Sequence, residues 1–191
     1  MRKLAVTEFM TLDGVVEDPG GAEGFEHGGW SFKFQDPEGM RFKLDELMAA
    51  DVQLLGRVTY EAFAAAWPKM RDDAGFAEKM NGMEKYVVSS TLTEATWQNS
   101  EVVHPNDLAA KVAELKAGGD GDILVAGSAT LVRALAALDL IDEYRLMVFP
   151  IALGAGKRLF DGIETPVTLR LASAEPLASG TQILTYASVR D

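Results

Sequence analysis

Two kinds of apolar pattern alternate along this chain. Ile123 to Ala126 is a short unbroken run of the sort buried on both faces of a sheet, and the apolar-rich segments Leu4 to Leu12, Asp51 to Gly56, Lys85 to Ser90 and Asp142 to Ala152 also read as strands, with Val102-Val103 as a shorter one. Between them the apolar residues return at helical spacing. Asp36-Pro37-Glu38 offers a capped helix start followed by a stripe of Met40, Leu44, Leu47 and Met48. Arg57 to Trp67 reads as a helix stopped by Pro68, and Asp72 to Met83 as a short surface helix. Asn106 is placed to cap a helix from Asp107 to Ala117, ended by Gly118 and Gly119. From Ala129 the residues Leu131, Val132, Leu135, Ala136 and Leu138 predict one more helix. Past it, Val167, Leu169 and Leu171, then Ile183, Leu184, Tyr186 and Val189 around Ser179-Gly180, predict an antiparallel hairpin.

Strands alternating with helices predict an α/β fold: a mostly parallel central sheet with helices on both faces and a C-terminal antiparallel hairpin. In such sheets ligands bind beyond the carboxyl ends of the strands. Gly56-Arg57, Ser89-Ser90-Thr91 and Gly127-Ser128 all fall at those ends. Gly127-Ser128, with Ala129 and Thr130 opening the helix behind it, is a strand-turn-helix whose free amides and helix dipole suit a phosphate. The same residues also fit an ordinary crossover with a sharp bend. Between Asp18 and Gly29, Pro19, Gly20, Gly21, Gly24, His27 and Gly28 predict a loop, which either closes over a ligand as a lid or is a loose insertion. Trp30, Phe32 and Phe34, at alternate positions, read as aromatics of one face.

With 191 residues and average apolar and charged fractions, one domain over residues 1–191 is expected, without internal repeats. A net charge of −11 argues against a general nucleic-acid or anionic-membrane surface, so an acidic ligand needs a local basic pocket. Cysteine is absent, which excludes disulfides and thiolate chemistry and is compatible with a reducing cytoplasm. The N-terminal apolar run is too short for a signal peptide, and no stretch has membrane-spanning length. A cytoplasmic protein is expected. His27 and His104 lie far apart, and no acidic residue near them has metal-ligand spacing, so no metal is expected.

Gly56-Arg57-Val58-Thr59-Tyr60-Glu61, Val87-Val88-Ser89-Ser90 and Ile123-Leu-Val-Ala-Gly-Ser resemble, in order and rough spacing, motifs of the dihydrofolate reductase-like superfamily. Thr11-Leu12-Asp13-Gly14 and Asp142-Glu143 are similar to the branch that includes the reductase domain of the bifunctional riboflavin-biosynthesis enzyme. The resemblance implies the three-layer dihydrofolate reductase-like fold and a reductase using NADPH, with an acceptor of the pterin or riboflavin-precursor class. The residues can be read the same way: Arg57 brings a forked cation to a helix start, while Thr59, Ser89, Ser90 and Thr91 bring hydroxyls suited to phosphate oxygens. Arg57 on a solvated helix face and serines ending a strand are the plainer alternative. Three positions depart from the pattern. Where the riboflavin branch has a lysine and a glutamate, this chain has Thr7 and Ala126, and Ser128 replaces the second glycine of the turn. The carboxylate of true dihydrofolate reductases falls near Met40, flanked by Glu38 and Asp45.

Asp13 is the one weak catalytic candidate, able to orient a substrate or to cap its turn with Gly14. Lys157 and Arg158 lie in a Gly-x-Gly loop beside the expected site or are plain surface charges. The apolar tail predicts a homodimer that covers a sheet edge. A small-molecule reductase is the reading; a non-catalytic nucleotide-binding or dimeric protein that keeps the fold is its alternative.

Overall fold

In the computed structural model, which describes residues 2–190, the apolar runs line up in one eight-stranded sheet. The strands are β1 (Leu4–Thr11), β2 (Ala50–Gly56), β3 (Glu84–Val88), β4 (Ser100–Val103), β5 (Asp122–Ala126), β6 (Glu143–Phe149), β7 (Leu169–Pro176) and β8 (Gln182–Ser188). The helices are α1 (Pro37–Ala49), α2 (Arg57–Ala66), α3 (Phe76–Gly82), α4 (Leu108–Ala117) and α5 (Ala129–Ala137). Sheet order is β4-β3-β2-β5-β1-β6-β8-β7. β1 to β6 run parallel, and β8 and β7 close the sheet as the expected antiparallel hairpin.

Both faces are covered. Leu4 and Val6 of β1, Val52 and Leu54 of β2, and Ile123 and Val125 of β5 pack under Leu108, Val112 and Leu115 of α4 and Leu131, Val132 and Leu135 of α5. On the other face Ala5, Leu55, Val87 and Leu124 meet Leu47 of α1, Tyr60 of α2 and Met80 of α3. This is why Ile123 to Ala126 of β5 reads as a continuous apolar run rather than an alternating one. Farther along that face, Trp30, Met147, Phe149, Leu177 and Ile183 form a third cluster against Phe9, Phe34 and Phe42.

Several expectations need correction. In α1, Met40 is 57% and Met48 43% exposed, while Gly39, Glu46 and Leu47 are buried. The helix is turned because Asp36 caps it and also accepts from the Ser179 N–H, and because Gly39 presses against Leu177 and Met147. Asp36 therefore orients the helix as well as starting it. Trp30, Phe32 and Phe34 lie in a 3-10 turn of three residues per turn, not a strand, so Trp30 is buried while Phe32 is 61% exposed. The short helix begins only at Phe76, its first amides bonded by Asp72. α4 begins at Leu108, preceded by a 3-10 turn whose cap is His104, not Asn106. Leu138 is past the end of α5 and half exposed.

Candidate functional site

The strand-to-helix turns after β2 and β5 meet at the carboxyl edge of the sheet, beside the loop that leaves β3 at Ser89. β2 passes into α2 with no intervening residue, so Gly56 is both the last strand residue and the helix N-cap. β5 passes into α5 through Gly127 and Ser128, both with positive φ, 76° and 68°. The two turns touch. A Cβ on Gly127 would lie 3.0 Å from Thr59 Oγ1, and one on Gly56 would lie 2.6 Å from Ser128 Cβ. Ser128 faces Gly56 and caps α5, its Oγ accepting from the Leu131 N–H at 3.3 Å. Gly56, Thr59, Gly127 and Ser128 thus form one packed unit at the amino ends of two helices, where dipoles and unbonded amides favour an anion.

The other predicted cofactor residues divide in two. Arg57 is exposed on the rim and donates to Glu61 at 2.8 Å; Ser90, Thr91 and Thr130 are exposed there too. Ser89 and Ala129 turn inward, with Ser89 Oγ accepting from the Thr91 and Leu92 N–H groups.

Beside this unit the sheet opens. The β1–β5 ladder ends at Thr7↔Ala126, whereas β1 continues beside β6 to Thr11↔Phe149. Ile123 N–H donates to Lys3 C=O, so by strand parity the odd residues of β1 turn their peptide groups toward β5. Phe9 is the first of these with no rung left, and its N–H and C=O face the gap beneath the Gly127 turn. Glu8 sits at the same place. Its side chain shares the α4/α5 face with Val6 and Met10, it is 6% exposed, and its Oε1 has no hydrogen-bond partner among the described residues. Burial pushes its carboxyl up to about 8, opposed by Lys43 and reinforced by Glu23.

Comparison with known proteins bears on this edge. Residues 2–183 match the family model described as the RibD C-terminal domain. The chain belongs to the RibD C-terminal domain family. YyaP of Bacillus subtilis (strain 168), an uncharacterised protein, is 28% identical over 97% of this chain and 94% of its own length. Among solved structures, a putative riboflavin biosynthesis protein from Shewanella sp. PV-4 has a TM-score of 0.77 at 22% identity, covering 98% of this chain and 99% of that one. Dihydrofolate reductase from Enterococcus faecalis, complexed with NADP(H) and RAB-propyl, has a TM-score of 0.64 at 14% identity, covering 98% and 97%. These likenesses establish the dihydrofolate reductase-like fold that the motifs predict.

Within this RibD C-terminal domain, the departures at Thr7 and Ala126 acquire a structural context. The two are register partners on the α1 face. Lys43 of α1 reaches that spot and donates to Thr7 Oγ1 and Glu46 Oε2, both at 2.5 Å, while Thr7 Oγ1 donates to Glu46 Oε2 at 2.8 Å. Lys43 also lies 5.5 Å from the Phe9 ring centroid, and Arg145 approaches Glu46 at 3.8 Å. A helix therefore supplies the ammonium and carboxylate that the strands lack. Glu38 and Asp45 are both exposed, so neither supplies a buried carboxylate near Met40.

Asp13 accepts from Thr11 Oγ1 at 2.6 Å and from the Leu153 and Gly154 N–H groups at 3.1 and 2.8 Å. The Thr11 hydroxyl, with those amides, holds its carboxyl down at about 2, so it stays an anion that ties the 153–158 loop to the end of β1. Arg158 and Lys157 complete that tie through Asp13 and Glu17. The loop after Gly14 is anchored at its base: Val15 is buried and bridges Arg158, and Asp18, 2% exposed, accepts from the Glu23 and Phe25 amides. Only Gly20 to Gly24 and Glu26-His27 are exposed.

Sequence reasoning missed Glu8, Lys43 and Glu46. A charge at an inward position of an apolar strand was the available signal for Glu8; the other two look like an ordinary surface pair three residues apart. Two surface concavities lie away from the gap, around Trp97 and Gln98. Lys85, which lines one of them, has its ammonium bound to the Asn81, Met83 and Gln98 carbonyls and no donor left for a ligand.

Proposed function

We propose that this protein is an NADPH-dependent reductase that passes hydride to a small heterocyclic or carbonyl acceptor, acting as a cytoplasmic homodimer. Family membership and the fold support a reductase, and the Enterococcus dihydrofolate reductase of the same fold binds NADP(H). The observation that carries the reading is the juxtaposition at the carboxyl edge: two helix amino ends closed by Gly56 and Gly127, beside an opening lined by the peptide groups of Phe9, which no rung of the β1–β5 ladder pairs among the described residues. The helix ends suit a diphosphate, and a free N–H next to a free C=O suits a carboxamide such as that of nicotinamide. Arg57 stands where it can select a 2′-phosphate through charge-assisted bonds. When bound, the cofactor supplies the hydride; the protein binds, orients and shields it. The acceptor side is the α1 face, where Lys43 sits beside Phe9.

The dimer rests on β7, whose residues after Leu169 are all exposed at the sheet edge. Calorimetry tests the cofactor: NADPH binds more tightly than NADH, and Arg57→Ala removes roughly 1.5–3 kcal/mol of NADPH affinity. Equal affinity for both cofactors, or no effect of Arg57→Ala, overturns the Arg57 assignment. NADPH oxidation with pterin, flavin-precursor and quinone acceptors tests the chemistry. Tight binding without turnover across that panel would instead favour the non-catalytic alternative. A monomeric mass by light scattering at micromolar concentration removes the dimer.

A further inference from the structure

We propose that Glu8 is a redox-sensitive cofactor contact: a carboxylic acid held neutral beside the reduced nicotinamide, which gives up its proton when the ring becomes cationic. The inference rests on the NADPH reading above, and its observations are local. Glu8 is the first β1 residue beyond the β5 ladder, so it lies where the sheet opens. It is 6% exposed and its Oε1 is buried with no partner among the described residues, and by strand parity the Phe9 peptide groups next to it face the same gap. An unpartnered buried carboxyl is costly unless a ligand completes it.

The surroundings decide its charge. Lys43 on α1 and Glu23 in the loop are the charged groups that act on it, with opposite signs. Its β6 rung partner is Leu146, flanked by Tyr144 and Val148, and the only charge on α5, Arg133, is half-buried and donates to Thr130 Oγ1 at 3.3 Å rather than to Glu8. Among the described residues no cation bonds the carboxyl directly, and burial leaves it protonated at neutral pH. A dihydronicotinamide is uncharged and suits the neutral acid. Loss of hydride from its C4 to the acceptor leaves the ring with one positive charge, and a cation within about 4–6 Å lowers a carboxyl by about 1–3 pH units. Glu8 then loses its proton and pairs with the ring. The balance is complete: the dihydronicotinamide is oxidised by two electrons, the acceptor gains hydride, and the proton from Glu8 enters the water or the reduced acceptor. Exchange of oxidised for reduced cofactor returns a proton to Glu8.

The test uses binding alone and no acceptor. Glu8 is followed by carbon NMR of the glutamate carboxyls in the protein without cofactor, with NADPH and with NADP+, its resonance assigned by loss in Glu8→Gln. Its midpoint should stay near or above about 8 with NADPH and fall by about one unit or more with NADP+. Calorimetry at pH 7 in buffers of different ionisation enthalpy should show that NADP+ releases more protons than NADPH, and that Glu8→Gln abolishes the difference. Equal midpoints in the two complexes, an ordinary carboxyl midpoint without cofactor, or equal proton release by wild type and Glu8→Gln would overturn this inference alone. Failure of both cofactors to bind would overturn the NADPH reading and this inference with it. The wild-type titration decides the matter even if Glu8→Gln folds poorly.

Discussion

Contact between the two turns at the carboxyl edge makes Gly56 and Ser128 energetically dependent on each other. In Gly56→Ala the new Cβ would stand 2.6 Å from Ser128 Cβ, against about 3.5–4.0 Å for an ordinary carbon contact, and closer still to Ser128 Oγ. Rotating the Ser128 hydroxyl cannot relieve this, because the Ser128 Cβ is itself in the way. Either β2 or the start of α5 must move, which costs about 1–3 kcal/mol as overpacking. Ser128→Gly alone has two opposed effects. It relieves a left-handed backbone at φ 68°, worth about 1 kcal/mol, and loses the cap on Leu131, worth a few tenths when glycine replaces a good cap. The single change should therefore leave stability within about 1 kcal/mol of the parent. In the Ser128→Gly background the alanine Cβ has room, so the double variant should recover most of the loss. Urea unfolding of the four proteins gives a coupling of about 1–3 kcal/mol, well outside the ~0.5 kcal/mol scatter of independent sites. If Gly56→Ala costs the same with and without Ser128, the turns do not touch as described and the packed anion site is wrong.

Lys43→Met strands the carboxylate of Glu46, whose side chain is 1% exposed, and should cost about 3–5 kcal/mol by urea unfolding; adding Glu46→Gln should restore part of it, and a fully additive pair would refute the buried network. Glu8, raised in the folded protein, contributes stability that is fully present below about 4.5 and is lost as pH rises through about 8. The stability gap between wild type and Glu8→Gln should therefore shift by a few kcal/mol in favour of the variant between pH 5 and pH 9, and a pH-independent gap refutes the neutral acid. For the loop after Gly14, hydrogen exchange should already be slow at Val15 and Val16, and NADPH should add protection only from Gly20 to His27; unchanged exchange there means the segment is no lid.

Much of this arrangement was legible because it is written in glycine and in apolar continuity. Ile123, Leu124 and Val125 are buried on a sheet covered from both sides, so their segment carries no polar alternation to confuse the reading, whereas β2 places Gln53, 1% exposed, between the buried Val52 and Leu54. Gly56 and Gly127 were legible because close approach and positive φ leave little choice of residue. The orientation of α1 was not. Met40 and Met48 have the spacing of a core stripe, yet Glu46 is the residue buried, because Lys43 and Thr7 bond its Oε2 and so offset part of its burial cost, while its Oε1 has no hydrogen-bond partner among the described residues. Pairing across elements is invisible to a pattern of apolar positions along one of them. The end of α1 that packs on the sheet is set by Asp36 and Ser179, more than 140 residues apart in the chain, and no local signal carries that contact.

The same network changes what the missing strand residues mean. Read position by position, Thr7 and Ala126 stand where the riboflavin-type pattern has a cation and an anion, on the side proposed above for the acceptor. Read in three dimensions, the charges have moved to a helix. Lys43 Nζ carries three N–H donors, of which Thr7 and Glu46 take two, and its side chain remains 18% exposed beside Phe9. Glu8 lies on the opposite face of the same strand, one residue along. The opening at Phe9 is therefore flanked by a fixed ammonium on the α1 face and by an uncharged acid on the α4/α5 face. Under the proposed NADPH reading, a planar ligand entering edge-on between β1 and the Gly127 turn would meet the cation with one face and the acid with the other, the asymmetry a site needs if hydride is to leave a cofactor on one side for an acceptor on the other.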